Sequence, residues 1–127
     1  MCPAAVFTSA ARFDHWAAMR FMRFAVLFAL LTVPAAAAPD PVAEAAYVRG
    51  DYAGAVAAAA RAGGAENLAF AAKALNAISY FDRDRKTTRR RCDEAMDFAE
   101  AAIAADPSFA EAHFNLGVAM LIKASNM

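Results

Sequence analysis

The side chains able to do chemistry are few and far apart. Histidine stands only at 15 and 113, and cysteine only at 2 and 92. Neither type forms the close cluster that a metal site or an activated nucleophile needs. Glycine-rich phosphate loops of the GxxxxGK[ST] kind are absent. Glu94 and Asp97 lie three residues apart, but within a helical stretch they read as a solvated surface rather than an acid/base pair. His113 reads as a packing or surface residue. No catalytic residue, metal or cofactor is therefore expected, and the chain is not expected to be an enzyme.

What remains is charge. The segment DRDRKTTRRR holds Arg83, Arg85, Lys86, Arg89, Arg90 and Arg91. One reading is a solvated loop balanced by Asp82, Asp84, Asp93 and Glu94. The other is a contact with an anion, either lipid headgroups at a membrane periphery or an acidic protein. Over the whole chain, 13 Lys+Arg balance 13 Asp+Glu. That balance gives no footprint for nucleic acid, which is not an expected partner.

The elements that must position these residues are helices. Hydrophobic residues make up 61% of the 127, but roughly three residues in ten are alanine, the strongest helix former. No run of alternating β-branched residues appears, so the fold class is all-α. Asp40-Pro41 reads as a cap and first helical position. Gly50 closes that helix, Asp51 caps the next, and Gly63-Gly64 ends it. A third helix is expected from about Glu66 to Phe81, with Leu68, Ala71, Ala72, Leu75, Ile78 and Ser79 on one face. Phe70, Ala74, Ala77 and Phe81 widen that face. After the charged segment, a fourth helix carries Ala95, Phe98, Ala99, Ala102 and Ile103 and stops at Asp106-Pro107. Ser108 and Glu111 have the spacing of a capping box for a fifth.

The N-terminal part reads as an address. Arg20 and Arg23 precede the apolar run Phe24 to Val33, and Pro34 with four alanines follows. The run from Phe24 to Ala38 is shorter than the roughly 18 residues that cross a bilayer. Residues 19–38 are thus expected to be a signal peptide cleaved after Ala37, and residues 1–18 an upstream extension or a long n-region. Residues 39–127 then form the helical domain, in a periplasmic or secreted bacterial protein. The alternative is an inner-membrane anchor that keeps this helix and makes the chain a membrane-anchored scaffold. Removal of the leader leaves Cys92 as the one thiol, expected to be buried.

The order helix, turn, helix, break recurs. GDYAGAVAAAARA and RCDEAMDFAEAAIA align with Ala55 and Ala62 matched to Ala95 and Ala102, 40 residues on. With Gly50-Asp51-Tyr52 in the first copy, and Asp106, Pro107, Leu116 and Gly117 after the second, the chain resembles the tetratricopeptide repeat family. The resemblance covers about residues 39 to 124. The family period is about 34 residues, so about six extra are expected within 82–91.

The resemblance implies a tetratricopeptide-like α-solenoid of about two and a half repeats. In that family the first helix of each pair lines a peptide-binding groove. This places Glu44, Tyr47 and Val48, then Lys73 and Asn76, then Phe114 and Val118 in a partner-binding groove for a protein or peptide. It implies a non-catalytic binding module, which the N-terminal address places in the cell envelope; a third option is a regulatory subunit of an enzyme. The repeat grammar also predicts a sixth helix that these residues do not supply. Met120, Leu121 and Ile122 are accordingly expected to be covered by further chain or by a second copy in a homo-oligomer.

Overall fold

The computed structural model describes residues 38–127. The extension expected at 1–18 and the signal peptide up to its cleavage point, with Cys2 and His15, lie outside the described residues. Among the described residues five helices follow one another: α1 Pro41–Val48, α2 Tyr52–Ala62, α3 Gly64–Phe81, α4 Arg85–Ala105 and α5 Ala110–Ser125. No strand occurs among the described residues. Each helix packs on the next, α3 also packs on α5, and Phe70 of α3 reaches Tyr47 of α1, so α3 is the central helix.

Local chemistry sets the boundaries. Asp40 Oδ1 accepts from Val42 N at 2.9 Å and Ala43 N at 3.2 Å, with Pro41 at the first helical position. These are donors that a helix start otherwise leaves orphaned. Gly50 turns at φ +80°, and Asp51 Oδ1 accepts from Gly54 N at 2.9 Å. A Cβ built at Gly54 would lie 2.2 Å from Asp51 Oδ2, so a larger residue there would require the Asp51 carboxylate to shift. Between α2 and α3 the break is Gly63 alone. Gly63 at φ +69° and Gly64 at φ +82° both take backbone that L side chains disfavour. The third helix therefore starts at Gly64, two residues before the expected Glu66. Asn67 secures this corner: Oδ1 accepts from Asp40 N at 2.7 Å, and Nδ2 donates to Gly63 O at 2.8 Å.

Two expectations fail for local reasons. The charged segment is not an insertion between helices, since only residues 82–84 are loop. Asp84 Oδ2 accepts from Thr87 N at 2.9 Å, and the buried Thr88 hydroxyl donates to Asp84 O at 3.0 Å. This cap starts α4 at Arg85, and the following arginines and lysine are good helix formers that carry it on. Ser108 is also not the cap of α5. Asp106 Oδ1 accepts from both Ser108 N, at 2.9 Å, and Ser108 Oγ, at 2.7 Å. That local turn consumes the hydroxyl, and α5 begins at Ala110 with Phe109 at its N-cap and no side-chain cap.

The core is alanine. Among the described residues, the buried hydrophobic side chains larger than alanine are Phe70, Leu75 and Cys92. One cluster joins Ala43, Ala46, Ala55 and Ala59 to Phe70, Ala71 and Ala74. A second joins Ala69, Ala102 and Ala112, and a third joins Leu75, Ala95 and Ala119. Each alanine buries little area, so cohesion comes from close backbone approach and dense contact rather than bulk. The seven-residue pairing holds in α4, where Ala95 and Ala102 are both buried, but in α2 the partner of Ala55 is Ala59 and Ala62 is exposed. Phe81, expected on the buried face of α3, is 72% exposed.

Candidate functional site

Three helices meet at Lys73. Its Nζ stands 5.5 Å from the Tyr47 ring centroid on α1 and 5.4 Å from the Phe70 centroid on α3. It also lies 3.8 Å from Glu111 Oε1 on α5. Tyr47 meets Phe70 edge to face at 5.4 Å and Tyr52 at 5.0 Å. Partial burial, and then the neighbouring Tyr52, push the Tyr47 phenol above its ordinary pKa. The Lys73 ammonium stands over both rings, an attraction of about 0.5–1 kcal/mol at exposed sites. The pair with Glu111 is half-exposed and adds little.

Around this centre the surface is mixed. Glu44 stands three residues before Tyr47 on α1 and Val48 four after Glu44, and both are exposed. Phe114 and Val118 follow Glu111 on α5 at three and seven residues; Phe114 is 68% exposed and Val118 half-buried. Asn76 does not belong to this surface. It is buried, and its Nδ2 donates to Asn115 O on α5 at 3.0 Å, because α3 is covered by α5 at that depth. Asn115 in turn donates from Nδ2 to Ala69 O at 3.3 Å and Glu111 O at 2.9 Å. Of the expected groove residues, Lys73 is brought against Tyr47, while Asn76 is a joint inside the fold.

Phe70, Glu111 and Asn115 were not singled out as site residues. The spacing offered a signal for one of them, since Asn76 and Asn115 stand 39 residues apart, close to the repeat offset.

No protein family, no curated protein and no solved structure matches the chain. Its own surfaces carry the functional reading.

The basic run divides once placed. Arg91 pairs with Asp82 across the start of α4. Arg83 is exposed in the loop. Arg85, Lys86, Arg89 and Arg90 line one hollow of about 500 Å³ together with Asp93, Asn126 and Met127. Other hollows lie between Tyr52, Ile78, Phe81, Asp82 and Arg91, and between Tyr80, Leu121 and Ile122 near the C-terminal ends of α3 and α5.

On α5, Met120 is 47% and Leu121 70% exposed, while Ile122 is half-buried. Gly117 is exposed, and a Cβ there would meet nothing within 4 Å. His113 donates from Nε2 to Pro107 O at 2.8 Å, which ties it to the turn before its own helix. Cys92 is fully buried, as its type led one to expect; burial raises its pKa, and the neighbouring Ser79 hydroxyl offsets part of that. Among the described residues no three His, Cys, Asp or Glu side chains gather as a metal site.

Proposed function

We propose that residues 39–127 are a tetratricopeptide-like helical-repeat module that catalyses nothing and binds a protein or peptide segment, in the periplasm or another part of a bacterial cell envelope. The bound segment lies across the face shared by α1, α3 and α5. The observation that supports this reading is the convergence on Lys73 of Tyr47, Phe70 and Glu111, drawn from three helices. Val48 and Phe114 stand exposed on the same two outer helices. Rigid aromatic groups beside a cation, with apolar side chains at the margins, suit an extended peptide bearing apolar residues.

The hairpin order, the close alanine packing and the two hydrogen bonds from side-chain amides between α3 and α5 support a stacked-repeat reading, in which each hairpin buries its apolar face on the next. Exposed Leu121 supports the companion proposal that this end of α5 packs on further chain or a second copy.

Selection of a displayed random-peptide library against the full chain tests the reading. Peptides that bind the parent should lose about tenfold or more on Phe114→Asp, the loss of one anchor of about 1.4 kcal/mol or more. Equal binding by both forms would contradict the site.

A further inference from the structure

We infer that Arg85, Lys86, Arg89 and Arg90 form a binding site for a phosphate-bearing anion, separate from the peptide face. The four residues stand at helical spacing i, i+1, i+4 and i+5, which puts them on one side of the first turns of α4. All four are exposed and line the same hollow of about 500 Å³.

Three observations converge on an anion. Like charges four apart on a helix repel, and here that occurs twice, at 85/89 and 86/90. Arg85 and Lys86 also occupy the first two positions of α4, where the helix dipole disfavours cations. Three of the four nearby carboxylates are already engaged, and the fourth, Glu94, stands exposed one turn beyond Arg90 with no ion pair to it. Asp82 holds Arg91, Asp84 caps the helix through Thr87, and Asp93 holds Lys123. The remaining ion pair among the described residues is Lys73 with Glu111, so none of the four cations is paired there.

Such a concentration of like charge, around a shallow open hollow, is relieved by an anion that several donors can grip at once. Phosphate fits: three of the four groups are guanidiniums, whose paired N–H donors match its oxygens two at a time. Asp93 also lines the hollow, and Lys123 offsets its charge there. The phosphate has two sources, a soluble oligophosphate or the headgroup of a phospholipid.

Calorimetric titration of the full chain with inorganic tripolyphosphate, and flotation with phosphatidylcholine vesicles containing phosphatidylglycerol, separate the two sources. Arg89→Ser/Arg90→Ser should weaken at least one of these interactions about a hundredfold, about tenfold for each charge-assisted contact. Arg49→Ser/Arg61→Ser, on exposed positions of other elements, should leave it unchanged. Residues 1–37 are the same in all forms, so any contribution from their arginines cancels. Loss in the titration alone assigns a soluble phosphate, and loss in flotation assigns a headgroup. Circular dichroism melting confirms that the variant folds. The site is overturned if the parent binds neither probe, or if both double variants weaken binding equally.

Discussion

Asn76 on α3 donates to the main-chain oxygen of Asn115 on α5 at 3.0 Å, and Asn115 returns a bond to Ala69 O on α3. Two buried amides thus bolt the central helix to the last one. Asn115→Ala removes its bonds to Ala69 O and Glu111 O, and should lower stability by about 1–3 kcal/mol. Asn76→Ala should cost less, about 1 kcal/mol, because Asn76 Oδ1 already has no partner among the described residues. Urea denaturation of the two variants measures the asymmetry; equal losses would contradict this division of roles.

Gly117 offers a test in the opposite direction. It is a helical glycine with open space where its Cβ would go. Gly117→Ala should raise stability by about 0.5–1 kcal/mol and lift the melting temperature by several degrees. If another surface closes on α5, the same methyl should weaken that association. Melting and sedimentation velocity on the one variant read both effects.

An alanine core resists enlargement. Ala59→Leu and Ala99→Leu each force a bulky side chain into fully buried positions between close helices. Overpacking should destabilise by about 1–3 kcal/mol or more, despite the added hydrophobicity. An increase in the urea midpoint would contradict the close packing.

The two limbs of the pH profile have different sources. Hydrogen bonds from Ser108 hold the Asp106 carboxyl below its ordinary pKa, and bonds from Thr87 do the same for Asp84. Groups depressed in the fold stabilise above their unfolded pKa, and that contribution is lost as pH falls through the folded value. Cys92 is raised by burial. Its contribution is complete below the unfolded thiol pKa and is lost as pH rises toward the folded one. Asp84→Ala should flatten the acid limb of a stability profile, and Cys92→Ala the alkaline limb above about pH 8.5. Native Cys92 should also react with a thiol reagent far more slowly than in urea.

The helix starts were legible where one side chain had one local option. Asp40 before Pro41, Asp51 after Gly50, and the Gly63 break all behave as their types dictate. Misreadings arose where two options competed. Ser108 had the spacing of a cap but was captured by Asp106 two residues earlier. The charged segment looked like an interruption, yet Asp84 could cap and arginine propagates a helix well. The site was half legible: the repeat resemblance placed Tyr47 and Lys73 on one face, but nothing in residue type distinguishes a buried Asn76 from an exposed one. That distinction depends on α5 closing over α3, a contact across 39 residues.

The most direct test of the proposed binding face is a comparison of Lys73→Ala and Arg89→Ser/Arg90→Ser against peptides selected on the parent chain. Lys73 loses half-exposed contacts to Tyr47, Phe70 and Glu111, so folding should drop by about 1 kcal/mol at most. Peptide affinity measured by fluorescence anisotropy should fall about tenfold with Lys73→Ala and stay unchanged with the arginine pair. Unchanged affinity in Lys73→Ala, with loss in the arginine variant, would contradict the account and move the peptide site to the basic end of α4.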